Sequence, residues 1–286
     1  MKTKEGSYLL VDSGCGRKLE RFGPYLIDRP CTQAVWQPKL SSQDWKKADV
    51  RFTREDDESW TGIKLPGEWI IELENINLKL SSTDFGHLGV FPEHAGMWTW
   101  FRNLIKQRIL KSGQPPKILN LFAYSGGATL AAAAEGAEVC HVDASKGMID
   151  WARQNAFHNN LEKAPIRWIV DDVNRFLNRE IRRGNKYDAI ILDPPTFGRG
   201  KRGEVFKIER DLQQLLKNCR TLLTEDPLFV LFSCHTPGFT PMIMRQLLMQ
   251  TMENISGKVE EGEMSLPGVG NTFSVPSGTF SRWSCS

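Results

Sequence analysis

The spacing of apolar and polar residues changes along the chain, and each change marks a structural element. An apolar run of strand length covers residues 118–123 and meets a Ser-Gly-Gly turn at 125–127. An alanine-rich segment of helical length follows at 128–135, and a second apolar run covers 139–142. This order predicts a strand, a turn, a helix and a second strand, with glycines that let the backbone approach a ligand closely.

The rest of the carboxyl-terminal two thirds alternates between strand-like and helix-like patterns. Apolar residues at intervals of four from Met97 to Ile109 predict an amphipathic helix that ends at the turn 113–116. Predicted strands cover 166–170, 187–192 and 228–232, predicted helices cover 145–159 and 173–183, and a closing hairpin joins 258–266 to 279–284. Strands that alternate with helices are typical of an α/β fold with a mostly parallel sheet.

Residues 1–92 differ from the rest, and they predict a small β-rich module in front of a larger α/β domain at 93–286. The clearest strand of the module spans 68–80, where the alternation changes phase at Glu74 and Asn75. Such a change indicates a bend or a bulge. Six of the nine tryptophans fall in the first hundred residues. They either fill the core of a small domain or offer faces on which unpaired bases stack.

Composition narrows the class of protein. With 286 residues and 40% hydrophobic content the chain can bury a full core. No apolar run approaches the ~20 residues of a membrane span and no signal-type segment opens the chain, so we expect a cytoplasmic protein. The six cysteines are scattered singly, which predicts neither structural zinc nor a disulfide framework. A net charge of +3 permits a nucleic-acid partner without requiring one.

The turn at 125–127 and the acid that follows it predict a site for an adenosine-containing cofactor. Asp143 ends the second strand close to the ~20-residue spacing at which nucleotide-binding units place their ribose-binding carboxylate. A dinucleotide site favours G-x-G-x-x-G, whereas this turn carries a bulky Tyr124 where one of those glycines is expected. The turn therefore favours a ligand without phosphates, such as S-adenosylmethionine (SAM), and it leaves NAD as an alternative.

Two further strands deliver acidic residues to the edge at which open α/β sheets bind ligands. Asp171 and Asp172 follow the strand 166–170, where each either contacts a ligand or caps the next helix. The strand 187–192 leads into the segment D-P-P-T-F at 193–197. Consecutive prolines cannot continue a strand ladder, so the backbone leaves the sheet with carbonyls that can accept hydrogen bonds. A carboxylate, such carbonyls and an aromatic ring together can hold a planar, amino-bearing ring.

A cysteine and a basic loop are candidates for contact with the acceptor. Cys234 follows the strand 228–232 and is a candidate nucleophile, although a lone cysteine is more often a buried structural residue. The loop after Phe197 carries Arg199, Lys201 and Arg202, which are candidates for binding the phosphates of an RNA partner.

Taken in order, L-N-L-F-A-Y-S-G-G, Asp143, Asp171-Asp172 and D-P-P-T-F resemble the motifs of class I SAM-dependent methyltransferases. Within that class the chain resembles the bacterial 23S ribosomal RNA methyltransferases that modify cytosine at carbon 5 or guanine at a nitrogen. The resemblance implies a Rossmann-like fold whose mostly parallel seven-stranded sheet ends in an antiparallel hairpin. It also implies SAM as the cofactor and a base of ribosomal RNA as the acceptor.

The resemblance further implies which residues contact the cofactor. They are Phe91, Ala123, Tyr124, Ser125, Gly126, Gly127, Asp143, Ala144, Asp171, Asp172, Val173 and Asp193. The turn would pass under the methionine part of the cofactor, and Asp143 would bind the two ribose hydroxyls. Asp172 and the amide of Val173 would hold the adenine edge, and Phe91 would close over the cofactor.

The chemistry depends on the acceptor atom. Methyl transfer is an in-line displacement that requires no metal, so the protein mainly positions two reactants. For a nitrogen acceptor, Asp193 and the Pro194 carbonyl would hold the hydrogens of the base and Phe197 would stack on its face. Carbon 5 of a pyrimidine needs a thiolate that adds to carbon 6, a role open to Cys234. The alternatives are acceptors in DNA, protein or a small molecule, an NAD-dependent oxidoreductase, and a non-catalytic RNA-binding protein.

Overall fold

The computed structural model describes residues 7–54, 59–199, 203 and 205–285. The chain forms two compact units, one of Met1–Ala95 with Ser265–Ser277 and the other of Gly96–Met264 with Gly278–Ser286. The predicted division placed its boundary after residue 92 and gave the N-terminal module no later residues.

The N-terminal unit is built on a five-stranded sheet whose strands lie in the order of the chain. Its elements are β1 (Tyr8–Gly14), β2 (Arg17–Phe22), β3 (Tyr25–Pro30), the short helix α1 (Ser42–Trp45), β4 (Val50–Thr53) and β5 (Ser59–Gly62). Neighbouring strands are antiparallel except β3 and β4, which are parallel. The predicted β-rich character of this part of the chain is confirmed.

The predicted strand 68–80 is a hairpin of two strands, β6 (Trp69–Leu73) and β7 (Ile76–Leu80). Its turn residues Glu74 and Asn75 both have positive φ, 48° and 60°. Two consecutive left-handed residues form the tight turn whose twist matches that of antiparallel strands. The phase change at these residues therefore marks a reversal of the chain, and the prediction of a bend or bulge is wrong.

Four tryptophans of the N-terminal unit donate their indole N–H groups to partners inside the unit. Trp36 donates to the Ser13 carbonyl at 3.0 Å and Trp45 to an Asp12 carboxylate oxygen at 2.9 Å. Trp60 and Trp69 donate to backbone carbonyls at 2.8 and 3.2 Å. Since buried indoles need such partners, these tryptophans act as structural residues of a small domain.

The second unit begins after a 3₁₀ turn (Pro92–His94) with the long helix α2 (Ala95–Ser112). The elements that follow are β8 (Lys117–Leu121), α3 (Gly127–Ala133), β9 (Glu138–Asp143), α4 (Lys146–His158), β10 (Ile166–Val170), α5 (Val173–Arg182), β11 (Ala189–Leu192), β12 (Phe197–Arg199), β13 (Val205–Lys207), α6 (Ile208–Leu222), β14 (Phe229–Cys234), α7 (Pro241–Thr251), β15 (Lys258–Leu266) and β16 (Val275–Ser284). None of the helices in the described part of the chain is long and apolar enough to cross a membrane.

The main sheet has seven strands in the order β10-β9-β8-β11-β14-β16-β15. The first five strands of this order are parallel, and β16 joins β14 in antiparallel orientation. The predicted fold class is confirmed: this is the Rossmann-like sheet with a closing hairpin. The strand order reverses between β8 and β11, which is the point where such sheets bind ligands beyond the carboxyl ends of their strands.

Predicted bounds of the elements agree with the structure to within a few residues, and the differences have local causes. Ser145 lies outside α4 as its N-cap, because its Oγ accepts from the Met148 N–H at 3.3 Å. Strand β11 starts at Ala189, later than predicted, because Tyr187 instead forms an isolated bridge with Leu223. The short hairpin of β12 and β13 was not predicted.

Candidate active site at the carboxyl edge of the sheet

The turn that follows β8 holds two large residues in the left-handed region of the backbone. φ is 55° at Phe122 and 50° at Tyr124, and it is 91° at Gly126, the N-cap of α3. Left-handed backbone is costly for residues with large side chains and persists only where other contacts hold it. One such contact is the bond from the Ala123 N–H to the Val142 carbonyl at 3.1 Å, which ties the turn to β9.

The two glycines of this turn allow close packing between helices. A Cβ on Gly126 would lie 2.9 Å from the Ala152 Cβ in α4. A Cβ on Gly127 would lie 2.6 Å from Cζ2 of Trp98, whose side chain is almost fully buried. The sequence interpretation assigned these glycines to a close approach by a ligand, whereas the structure shows that protein neighbours already exclude a side chain there. Ser125, also buried, accepts on its carbonyl from Asn155 Nδ2 at 2.9 Å.

Asp143 lies at the carboxyl end of β9, directly beside the turn. Its Oδ2 accepts from the Tyr124 N–H at 2.9 Å and its Oδ1 accepts from the Ser145 N–H at 2.8 Å. Burial raises the pKa of this carboxyl, and the two backbone N–H groups act in the opposite direction. The two bonds orient the carboxylate, and each of its oxygens retains a further lone pair for a ligand hydroxyl. The adjacent Ala144 is half-buried.

Asp171 and Asp172 occupy different positions at the start of α5. Asp172 is the N-cap, and its Oδ1 accepts from the Arg175 N–H at 2.9 Å. Asp171 is buried and forms ion pairs with Arg175 and with Arg179, whose Nη1 lies 2.5 Å from Oδ2. These contacts give both acids structural roles in the helix. Val173 is the first residue of α5, where backbone N–H groups have no partner within the helix.

Asp193 lies at the end of β11, on the other side of the strand reversal from the turn at 123–127, which is called the cofactor turn below. Ser233 Oγ donates to Asp193 Oδ1 at 2.8 Å, and His235 Nε2 lies 3.7 Å from Oδ2. The side chain of Asp193 is 29% exposed, so it can reach a ligand from this fixed position. Pro194 is buried, whereas the ring of Phe197 is 48% exposed. A partly exposed carboxylate and an exposed aromatic ring therefore lie four residues apart in the segment that leaves this edge of the sheet.

Cys234 points away from Asp193, into the core. Its side chain is 1% exposed and accepts on Sγ from the Thr236 N–H at 3.4 Å. Because side chains alternate along a strand, Ser233 and His235 face Asp193 while Cys234 faces the opposite side of the sheet. Burial raises the pKa of the Cys234 thiol. The structure thus shows an enclosed thiol at the position proposed for a nucleophile, in surroundings that disfavour the thiolate.

The β12–β13 hairpin follows the segment 193–196, called the acceptor edge below, and packs against Phe122, directly before the cofactor turn. Phe206 of β13 is buried, and its ring lies 5.5 Å from that of Phe122. Of the basic residues predicted to bind phosphates, Arg199 ends β12, but its side chain lies outside what the structure describes. Lys201 and Arg202 lie outside the described residues altogether.

Phe91 belongs to the N-terminal unit, so its predicted closure over the cofactor stays a prediction. Its ring packs edge-on against His87, with the ring centroids 5.4 Å apart. Within the second unit, the turn 123–127, Asp143 and Asp172 all follow neighbouring strands on the β8 side of the reversal. Asp193 follows β11 on the other side of it.

Sequence reasoning missed two features of this edge. The first is the pair Ser233 and His235, which both contact Asp193. The available signal was the segment S-C-H at 233–235, where alternation along a strand places the serine and the histidine on the same face. The second is His141 on β9, which is buried beneath the cofactor turn. A histidine inside an apolar strand, two residues before Asp143, was the available signal.

Residues 91–253, more than half of the chain, match the family of S-adenosylmethionine-dependent methyltransferases. The chain belongs to this family. Membership makes SAM the cofactor and methyl transfer the reaction, and it argues against an NAD-dependent oxidoreductase and against a protein that only binds RNA.

Individual relatives place this methyltransferase more closely. It is 38% identical to a SAM-dependent methyltransferase of known structure from Agrobacterium tumefaciens, over 98% of this chain and 91% of that one, with a TM-score of 0.93. It is also 34% identical to the ribosomal RNA large subunit methyltransferase K/L of Hahella chejuensis over 174 residues. These residues are 60% of this chain and 22% of that protein. The chain spans about a quarter of the length of the curated relatives it matches. A Streptococcus mutans protein, 18% identical over 99% of this chain and 76% of that one with a TM-score of 0.76, shares the fold.

The residues at the carboxyl edge fit the chemistry of SAM. Asp143 offers a carboxylate already oriented by two backbone N–H groups, which suits a ribose diol. Val173 follows β10, the strand next to β9, and offers a helix N-terminal amide, which suits a ring nitrogen of adenine. The turn at 123–127 offers backbone groups with no phosphate cradle, as a ligand without phosphates requires. The donor set therefore agrees with the cofactor of the family.

Proposed function

We propose that this methyltransferase modifies a nitrogen of a base in ribosomal RNA of the large subunit, in the cytoplasm. Relatives named as ribosomal RNA large subunit methyltransferases support this class of acceptor. The observation that carries the proposal is the position of the Asp193 carboxylate. It lies at the carboxyl end of β11, where Ser233 donates a hydrogen bond to it and His235 lies close by.

A nitrogen acceptor fits this edge better than a pyrimidine carbon. Attack through carbon 5 requires an exposed thiolate, whereas Cys234 is enclosed in the core and burial raises its pKa. The alternation that brings Ser233 and His235 to Asp193 also turns Cys234 away from it. An amino-bearing base needs only acceptors for its hydrogens and a face on which to stack, and the segment 193–197 supplies both kinds of group.

In this reaction the protein binds the base and the cofactor and orients them toward each other. Asp193 and the Pro194 carbonyl accept hydrogen bonds from the amino edge of the base, which directs the nitrogen lone pair toward the cofactor edge. When the nitrogen gains the methyl group, it gives up one proton to the Asp193 carboxylate. SAM, when bound, supplies an electrophilic methyl group on a positively charged sulfur. Asp143 holds the ribose and the Val173 N–H holds the adenine. Holding two reactants in line accounts for much of the rate in such displacements.

Phe197 stacks on the target base in this proposal, since its ring is half-exposed directly after the segment that holds the amino edge. Arg199, Lys201 and Arg202 follow in sequence and bind phosphates of the RNA around that base. A base inside a duplex must leave its stack to reach such a site, so the acceptor is an unpaired or flipped nucleotide.

The test is transfer of labelled methyl from SAM to ribosomal RNA, DNA and protein prepared from a strain that lacks this gene. The proposal predicts label in large-subunit RNA with the wild type and loss of at least about a hundredfold with Asp193→Asn, which keeps the shape and removes the charge. Glu209→Gln removes an exposed carboxylate from α6 and serves as the matched control, with full activity expected. Label in DNA or protein alone, with none in ribosomal RNA, overturns the proposal.

A further inference from the structure

A chain of three buried polar side chains lies beneath the cofactor turn. Asn120 of β8, Thr129 of α3 and His141 of β9 are 3%, 0% and 0% exposed. Asn120 Nδ2 donates to Thr129 Oγ1 at 2.8 Å, and Thr129 Oγ1 lies 2.9 Å from His141 Nδ1. Polar groups this deep in a core normally have a specific role, because burying them is costly unless their hydrogen bonds are complete.

The chain of bonds selects one tautomer of the histidine. Burial, with a smaller contribution from the Arg153 charge, lowers the pKa of His141 to about 3, so the ring is neutral at physiological pH. Asn120 can only donate through its Nδ2, so Thr129 Oγ1 accepts that bond and its own hydrogen is available for His141 Nδ1. A ring that accepts on Nδ1 carries its hydrogen on Nε2.

The ring of His141 lies close to the turn, since a Cβ on Gly126 would be 3.6 Å from its Cε1, the carbon next to Nε2. His141 Nε2 is buried and makes no bond of hydrogen-bond geometry among the described residues. The Tyr124 backbone acts to raise the pKa of His141, as a carbonyl acceptor close to a ring N–H does. A buried donor without a well-aligned acceptor is unfavourable, so an arrangement that completes a bond from Nε2 to this backbone would be more stable.

His141 and Asp143 act on the same residue of the turn. They are two positions apart on β9, so both side chains lie on one face of the strand. Asp143 Oδ2 already accepts from the Tyr124 N–H at 2.9 Å. A bond from His141 to the Tyr124 carbonyl would therefore hold both polar groups of a residue whose φ is 50°.

We propose that His141 is a positioning residue for the cofactor: its Nε2–H donates to the Tyr124 carbonyl when the cofactor binds, while Thr129 maintains the required tautomer. Together with Asp143 this bond keeps Tyr124 in its left-handed conformation, which in turn fixes the orientation of the ribose-binding carboxylate. This role concerns the cofactor half of the site and holds whatever the acceptor is.

Three substitutions and one spectrum test the proposal. His141→Gln keeps an N–H close to the position of Nε2, whereas His141→Asn keeps a polar group only near Nδ1. Thr129→Val keeps the shape of the threonine and removes the hydroxyl that selects the tautomer. The affinity for S-adenosylhomocysteine is measured by calorimetry on the full chain. We expect His141→Asn and Thr129→Val to weaken binding about tenfold, and His141→Gln to stay within about threefold of the wild type.

Nitrogen NMR of the ¹⁵N-histidine-labelled wild type provides a readout independent of any substitution. The proposal predicts the Nε2–H tautomer for His141, identified by the signal missing from His141→Gln, with an N–H resonance that shifts when S-adenosylhomocysteine is added. An Nδ1–H tautomer in the bound protein overturns it. So does equal loss of affinity in the glutamine and asparagine variants, since that result indicates that the ring only fills space.

Discussion

Replacing Gly127 by alanine tests whether the cofactor turn is held by close packing of α3 on Trp98. In a helix an alanine is normally more stable than a glycine by roughly 1 kcal/mol. Here the new Cβ would lie 2.6 Å from Trp98 Cζ2 and 2.9 Å from Cη2, closer than non-bonded carbon atoms approach. Trp98 is 3% exposed, so its ring has no open space into which to move.

Overpacking of this kind costs about 1–3 kcal/mol, which exceeds the gain from helix propensity. We therefore expect Gly127→Ala to lower the free energy of unfolding by about 1 kcal/mol and to weaken binding of S-adenosylhomocysteine, because the turn must shift. Urea unfolding followed by tryptophan fluorescence measures the first quantity, and calorimetry measures the second.

Gly147 provides the matched control in the first turn of α4. A Cβ there would meet only Ser145 Oγ, at 3.8 Å, so Gly147→Ala should leave stability unchanged or raise it by up to about 1 kcal/mol. If Gly127→Ala proves as stable as Gly147→Ala and binds S-adenosylhomocysteine equally well, the packing account of the turn is refuted.

Two further predictions concern the sheet and the acceptor edge. Burial raises the pKa of Glu180, but bonds from Arg167, Tyr187 and a neighbouring amide outweigh it and lower the value to about 2. This carboxylate therefore contributes stability above pH ~4.5 that is lost as pH falls toward 2. Glu180→Gln should lower the free energy of unfolding at pH 7 by on the order of 2–3 kcal/mol. The variant should also lose less stability than the wild type between pH ~4.5 and 2. Equal pH dependence in wild type and variant would show that Glu180 contributes nothing. Ser233→Ala should lower kcat about tenfold with little change in cofactor affinity, since it removes the 2.8 Å bond that orients Asp193; an unchanged kcat would show that Asp193 needs no such support.

Local patterns predicted the elements around the candidate cofactor site. Strand β10 has the predicted bounds, and the order of strand, turn, helix and strand from β8 to β9 follows directly from the spacing of apolar residues. Asp143 lies at the predicted edge of the sheet because a strand end determines where the next side chain lies, while its contact with the ribose stays a prediction. These features depend on residues close together in sequence.

Features that depend on distant residues could not be predicted in the same way. The burial of Cys234 follows from which face of β14 meets the core, and that requires the neighbouring strands. The ion pairs of Asp171 arise only once α5 places Arg175 and Arg179 above it. Residues 265–277 join the N-terminal unit through contacts such as the bond from Thr272 Oγ1 to the Val11 carbonyl, far away in sequence.

The most direct test of the account is the identity of the methylated nucleoside formed by wild type, Asp193→Ala and Cys234→Ala with ribosomal RNA from a strain lacking this gene. After digestion of the RNA, mass spectrometry identifies the base and the position of the labelled methyl group. The account predicts an N-methylated base that persists with Cys234→Ala and disappears with Asp193→Ala. Formation of 5-methylcytosine that is lost with Cys234→Ala would contradict it, because covalent chemistry would then run through a thiol that the structure encloses in the core.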